Sequence, residues 1–254
     1  MIGVARRGVA VVGLFPHNLI EILAATFVLA AGAAVQGSVG FAYSLVAAPF
    51  LVLIDPRWVP GPIILSGVAL NFLIVRRERS HVDIRGVTWA LAGRVPGSVI
   101  GGFLLAMLSP KQTGTTVGAM VWLAVLLSIS GLRMRPNAPS LLGAGLLSGF
   151  MGTTSSLSGP PVALVYQNVS GPRLRGTLTG YFLVGSIISL IVLAWAGRFG
   201  LYELVAALVF LPGTIAGFAV SRLVAPLLDR AYTRPAVLFI SAAGATLALV
   251  RSLF

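Results

Sequence analysis

Long apolar runs separated by short charged connections set the pattern of this chain. Stretches without a charged residue recur at 22–54, 58–75, 112–132, 136–172, 176–197, 204–221 and 235–250. A helix needs about 20 predominantly apolar residues to cross a bilayer. The runs are continuously apolar rather than alternating, which excludes a transmembrane β-barrel. The pattern therefore predicts an all-α polytopic membrane protein. Two runs are too long for one crossing and carry polar interruptions: 18–54, broken at Gln36-Gly37-Ser38-Val39-Gly40, and 141–170, broken at Thr153–Pro161. In the second, Ser158 has the chemistry of an N-cap, and Pro160-Pro161 suit a first helical turn. The reading is a half-helix from Leu141 to Gly152, a non-helical tip, and a second half-helix from Pro160 onward. Irregular backbone at membrane depth is tolerated only where protein buries it or it lines a watery cavity, so both tips are candidate binding sites.

The order of elements divides the chain in two. Residues 1–135 hold a broken hairpin (18–54) and spans at 58–75, 86–108 and 114–132. Residues 136–254 hold a second hairpin (141–170) and spans at 174–196, 201–225 and 234–254. Pro96-Gly97-Ser98-Val99-Ile100-Gly101 matches Pro212-Gly213-Thr214-Ile215-Ala216-Gly217, 116 residues later, and Ser109-Pro110 matches Ala225-Pro226. Small-residue motifs are common packing devices in membrane helices, but shared position and order favour a repeat. A hairpin plus three spans is an odd number of crossings, so the halves are expected to be inverted. This places Arg76, Arg77, Arg79, Arg85, Arg133, Arg135, Arg173, Arg175, Arg222, Arg230 and Arg234 on one side. The other side receives Arg6, Arg7, Arg57, Lys111, Arg198 and Arg251. Eleven against six is a sharper split than single crossings would leave, and it puts the richer face inside. Both termini then face outside, an uncomfortable place for Arg6 and Arg7. Inverted repeats with broken helices recur in transporters, and helix N-termini facing each other near the midplane would favour an anion.

Composition narrows the functional classes. Only 9% of residues are charged, against about 25% in soluble domains. The net charge of +12 is scattered through loops, which does not suggest nucleic acid. There is no cysteine, hence no disulfide, thiolate ligand or cysteine nucleophile. The apolar stretch after Arg6-Arg7 that ends at Pro16 resembles a weak signal-peptide start without a convincing cleavage site.

Gln36-Gly37-Ser38-Val39-Gly40-Phe41 with Ala47-Ala48-Pro49, and Gly149 with Leu157-Ser158-Gly159-Pro160-Pro161, resemble the paired motifs of the TauE/SafE family of sulfite and organosulfonate exporters. The resemblance covers nearly the whole chain. It implies a multi-pass bacterial inner-membrane transporter that moves small sulfur-containing anions outward. Many members carry more glycines where this chain has Ala42, Ser44 and the run before Ser158, which leaves the anion open.

The candidate substrate-binding residues are Gln36, Gly37, Ser38, Gly40 and Phe41 at the first tip and Thr154, Ser155, Ser158, Gly159 and Pro160 at the second. Their hydroxyls, carboxamide and N–H groups would hold oxyanion oxygens, or merely satisfy backbone freed by the breaks. Arg94, the one charge well inside a span, reads as a counter-charge for an anion or as a snorkelling side chain. Asn71 faces the same cavity or another helix; Tyr181 and Gln167 flank the second hairpin. The six carboxylates lie near span ends or in loops, so no buried proton relay is expected and the membrane potential would drive the anion. Ser158-Gly159 is part of an intramembrane serine protease pattern, but His17 and His81 lie outside the spans, so no enzyme is expected. No cofactor or metal is implied. The partners are a small anionic substrate and the lipid bilayer, with no nucleic acid; a homodimer stays open. A channel of the same architecture, a carrier of another small organic anion and a membrane scaffold are the alternatives.

Overall fold

The computed structural model describes residues 17–132, 134–224 and 230–253. Arg6, Arg7, the stretch ending at Pro16, Arg133, Ala225-Pro226 and Asp229 lie outside the described residues. Among those described there are ten α-helices, two 3-10 turns and no strand. The first hairpin is α1 (Leu19–Val39) and α2 (Tyr43–Ile54), followed by α3 (Gly61–Glu78), α4 (Ile84–Met107) and α5 (Pro110–Ile129). The second is α6 (Ala138–Ser155) and α7 (Gly159–Val165), followed by α8 (Gly171–Trp195), α9 (Leu201–Val224) and α10 (Arg230–Leu253). Six helical stretches among the described residues are long and apolar enough to cross a membrane. Large apolar side chains such as Phe27, Phe103, Ile191 and Trp195 stand on the outside, where a soluble protein would place charge. The chain is a polytopic helical membrane protein.

The hairpins are less symmetrical than expected. Their incoming arms are 21 and 18 residues long and their returning arms 12 and 7. At about 1.5 Å per residue α1 is about 31 Å long, a full crossing rather than a half-helix. Helix α6 begins earlier than Leu141, because Asn137 and Ser140 close a capping box. It also runs past Gly152 through the hydroxyl residues. Thr154 Oγ1 donates to the Phe150 carbonyl (2.8 Å) and Ser155 Oγ to the Met151 carbonyl (2.7 Å), so these hydroxyls are satisfied inside the helix. Helix α1 likewise continues through Gln36–Val39 and breaks at Gly40.

Glycines set the main seams. Helix α4 packs most extensively on α6, and α1 on α9. A Cβ at Gly97 would overlap the Leu146 carbonyl, and one at Gly145 would overlap that of Ala90. Gly213 and Gly217 meet the Thr26 and Ala30 carbonyls in the same way. Residue numbers rise together along both seams, so α4 runs parallel to α6 and α9 parallel to α1. The two Pro-Gly motifs thus make equivalent seams, each joining a helix from before residue 136 to one from after it.

Each hairpin ends near where it starts. His17 Nε2 lies 3.1 Å from Asp55 Oδ2, which joins the approach to α1 to the end of α2. Gln167 Nε2 donates to the Leu132 carbonyl at 2.5 Å, which joins the end of α7 to the approach to α6. At the first of these ends, Arg198 donates to the Leu108 carbonyl and Arg251 to the Leu53 carbonyl. At the other, Glu78 Oε1 binds Arg77 and Arg175 at 3.2 Å, and Asp83 Oδ2 binds Arg173 at 3.2 Å.

Burial alone would raise the Asp83 pKa, but the Gly86 N–H, Arg173 and the Tyr166 hydroxyl outweigh it and hold the carboxyl below its ordinary value. A lowered carboxyl pKa stabilises the fold above the unfolded value of about 3.9, and the gain is lost as pH falls through the folded value. Asp83→Asn should therefore unfold at a lower temperature than the parent at pH 7 in detergent, and the gap should close below about pH 3.9; a gap independent of pH would refute the charge contribution. Gly97→Ala should cost about 1–3 kcal/mol of stability by overpacking. Gly143→Ala, with nothing within 4 Å, should leave the midpoint unchanged or raise it; equal midpoints for the two variants would rule out close packing at Gly97.

Candidate functional site

The break between α1 and α2 is held by one carboxamide. Gln36 Oε1 accepts from the Tyr43 N–H at 3.0 Å, and Gln36 Nε2 donates to Asn71 Oδ1 on α3 at 2.8 Å. Both side chains are buried. The Tyr43 hydroxyl lies 2.8 Å from both Ser66 Oγ and Thr214 Oγ1, tying α2 to α3 and α9. The first turn of α2 has no intrahelical acceptor for its N–H groups. Tyr43 is satisfied by Gln36; the N–H groups of Ser44 and Leu45 have no acceptor among the described residues.

The break between α6 and α7 is arranged differently. Ser156 ends α6 in the left-handed region, with φ 65°. Ser158 has helical dihedrals and its side chain caps nothing, contrary to expectation. Its hydroxyl turns to Arg94 instead. Arg94 Nη2 donates to Ser158 Oγ and to Ser189 Oγ, both at 3.1 Å, and Nη1 donates to Ser148 Oγ at 3.5 Å. Ser148 Oγ in turn donates to the Ser158 carbonyl at 2.5 Å. The guanidinium carbon lies 5.1 Å from the centre of the Tyr181 ring.

Arg94 is only 1% exposed, and no carboxylate pairs with it among the described residues. This overturns the snorkelling alternative: the side chain points into protein rather than toward headgroups. A buried charge without an opposite charge is costly. Here three hydroxyls and an aromatic face reduce that cost without neutralising the cation.

A cavity of about 40 Å³ lies between the two breaks, room for about three or four water-sized groups. Gln36 and Phe41–Leu45 line it from the first hairpin and Ser156–Pro160 from the second. Ile63, Ile64, Gly67 and Asn71 of α3 and Phe182 and Ser186 of α8 complete its walls. Of the expected residues it thus gathers Gln36, Phe41, Asn71, Ser158, Gly159 and Pro160, with Arg94 directly behind Ser158. The others face elsewhere. Gly37 packs on Ser221 and its carbonyl accepts from Arg77; Ser38 Oγ donates to the Ala34 carbonyl at 2.9 Å. Gly40, with φ 98°, lies against Arg175 rather than across from Ser158. Thr154 and Ser155 bond their own helix. The two helix N-termini do not present equivalent rows of N–H groups either, since Pro160 and Pro161 have none.

Tyr43, Ser148, Ser156, Ser186 and Ser189 were not singled out from sequence, and Tyr181 was noted only as flanking the hairpin. The usable signal was Arg94: a charge at mid-span needs polar partners, and the charge-free runs 136–172 and 176–197 hold them. Among the described residues no group of three His, Asp or Glu side chains is placed to hold a metal.

Gln36→Ala would leave the buried Tyr43 N–H and the Asn71 amide unpaired. It should cost about 1–3 kcal/mol, read as a fall of the unfolding midpoint in detergent; an unchanged midpoint would show that the bridge adds no stability.

The family model described as Sulfite exporter TauE/SafE matches residues 23–247 of the chain. No curated protein and no solved structure matches significantly. The chain belongs to the sulfite exporter TauE/SafE family.

Proposed function

We propose that this family member exports a small sulfur oxyanion, sulfite or a small organosulfonate, through the cavity between its two hairpin breaks. The observation that carries the reading is Arg94, a buried cation whose hydrogen-bonded partners are hydroxyls alone and which touches the cavity wall at Ser158. An anion beside Ser158 supplies the missing opposite charge at short range in a low-dielectric setting. Ser158, whose hydroxyl accepts from Arg94 and keeps its own proton, and the free N–H groups of Ser44 and Leu45 supply donors for its oxygens, and Gln36 and Asn71 hold the first wall in place. The cavity volume favours a solute of few heavy atoms.

In this reading the halves 1–135 and 136–254 are inverted repeats. The parallel seams and the closed hairpin ends support that arrangement, as does the charge of the loops. The arginine-rich face is cytoplasmic in the inner membrane of a bacterium. An inside-negative potential then favours exit of a monoanion by about 2.3 kcal/mol per 100 mV, roughly fifty-fold, without a coupling ion.

Sulfite efflux from proteoliposomes tests this directly. An inside-negative potential should accelerate efflux, and Arg94→Ala and Arg94→Lys should each lower the rate at least ten-fold while the protein stays monodisperse. Normal transport by both variants would remove Arg94 from the anion path. Insensitivity to potential together with proton-driven transport would overturn the energetics.

A further inference from the structure

We infer that Phe41 is the movable partition between the anion site and a separate vestibule on the arginine-rich face. This rests on the reading of the small cavity as the substrate site. A second cavity of about 280 Å³ adjoins the first. Ser38, Gln167 and Arg175 mark its arginine-rich end. The two cavities share Phe41, Ala42, Leu45 and Pro160 as lining and are otherwise built from different residues. The Phe41 ring is the largest side chain in that shared wall.

Two further observations separate Phe41 from an ordinary packed aromatic. Its backbone lies between Gly40 at φ 98° and Ala42 at φ 114°. A left-handed alanine is strained, and such strain concentrates at switch points. The Gly40 N–H closes α1 on the Gln36 carbonyl, and the Ala42 carbonyl accepts the first bond of α2 from Val46. The ring therefore swings by side-chain rotation while both helix ends stay in place. The ring also rests on a glycine: a Cβ at Gly159 would sit 3.3 Å from Phe41 Cβ and 3.4 Å from Cδ2. Gly159 belongs to the second hairpin, so relative movement of the hairpins moves the seat of the ring. Phe41 thus reports the relation of the two halves to the path between the cavities. In the present state it closes that path, and a sulfonate waiting in the vestibule reaches Ser158 only when the ring swings away from Gly159.

The chain has no cysteine, so single cysteines can be read without background. Ser186→Cys reports the small cavity and Ser38→Cys the vestibule. The probe is 2-sulfonatoethyl methanethiosulfonate, a membrane-impermeant anion, applied to sealed vesicles from the side at which Ser38→Cys reacts. Replacing Phe41 by Ala should raise the labelling rate of Ser186→Cys at least ten-fold and leave that of Ser38→Cys unchanged. Phe41→Leu, the milder variant should the alanine form fail to fold, should raise it less. Equal Ser186→Cys rates with and without the ring would overturn the proposal. Thermal stabilisation of Phe41→Ala by sulfite is measured separately. If labelling accelerates but sulfite does not stabilise, the partition stands and the substrate reading falls; if sulfite stabilises but labelling does not accelerate, the partition falls alone.

Discussion

The Gln36 carboxamide bridge answers the hardest constraint on this molecule. A helix that stops inside a bilayer exposes N–H and C=O groups that lipid cannot satisfy. One side chain at the end of α1 accepts from the first N–H of α2 and donates to Asn71 of α3. The break thereby becomes a fixed corner, and the adjacent N–H groups of Ser44 and Leu45 are left facing a cavity. The second break reaches a similar end by another route. Ser148 donates to the Ser158 carbonyl, two prolines remove N–H groups that would otherwise need acceptors, and the Ser158 hydroxyl is free to meet Arg94. Satisfying the backbone and building the cavity are one task here.

The corners stay in place because the incoming arms are clamped along their length. Glycine seams bring α6 onto α4 and α1 onto α9 at backbone contact. The hairpin ends are pinned by a tyrosine–aspartate pair at each end of the molecule. Tyr202 donates to Asp55 at 2.9 Å and Tyr166 to Asp83 at 3.2 Å. The roles are exchanged: the first hairpin contributes the aspartate, whereas the second contributes the tyrosine. Rigid arms and bonded corners leave side-chain rotation, above all that of Phe41 against Gly159, as the freedom that remains beside the cavity.

Much of this was legible in the chain and some was not, for physical reasons. Continuous apolar runs encode helix number because a bilayer demands length, and Pro96-Gly97 and Pro212-Gly213 encode the seams because only glycine admits a neighbouring carbonyl so closely. The extent of the breaks was not readable. Thr154 and Ser155 look like helix breakers in a polar reading, yet each returns its proton to its own helix, a choice that depends on the absence of better partners in the bilayer. The orientation of Ser158 was hidden because its partner Arg94 is 64 residues away. Gln36 and Asn71 were individually visible, but the bond between them exists only once α3 lies beside the break.

The brevity of α7 has an electrical consequence. Seven residues rise only about 10 Å, against a hydrocarbon layer about 30 Å thick, and Pro160, Ala163 and Leu164 of this arm line one wall of the larger cavity. Water in that space would bring the potential of the arginine-rich side deep into the protein. The transmembrane voltage would then drop across a thin septum around Phe41 and Ser158 instead of across the full bilayer, so the local field would be several times steeper there. A solute would need to shed its hydration only over that septum, and a displacement of a few ångströms would count electrically as most of the crossing.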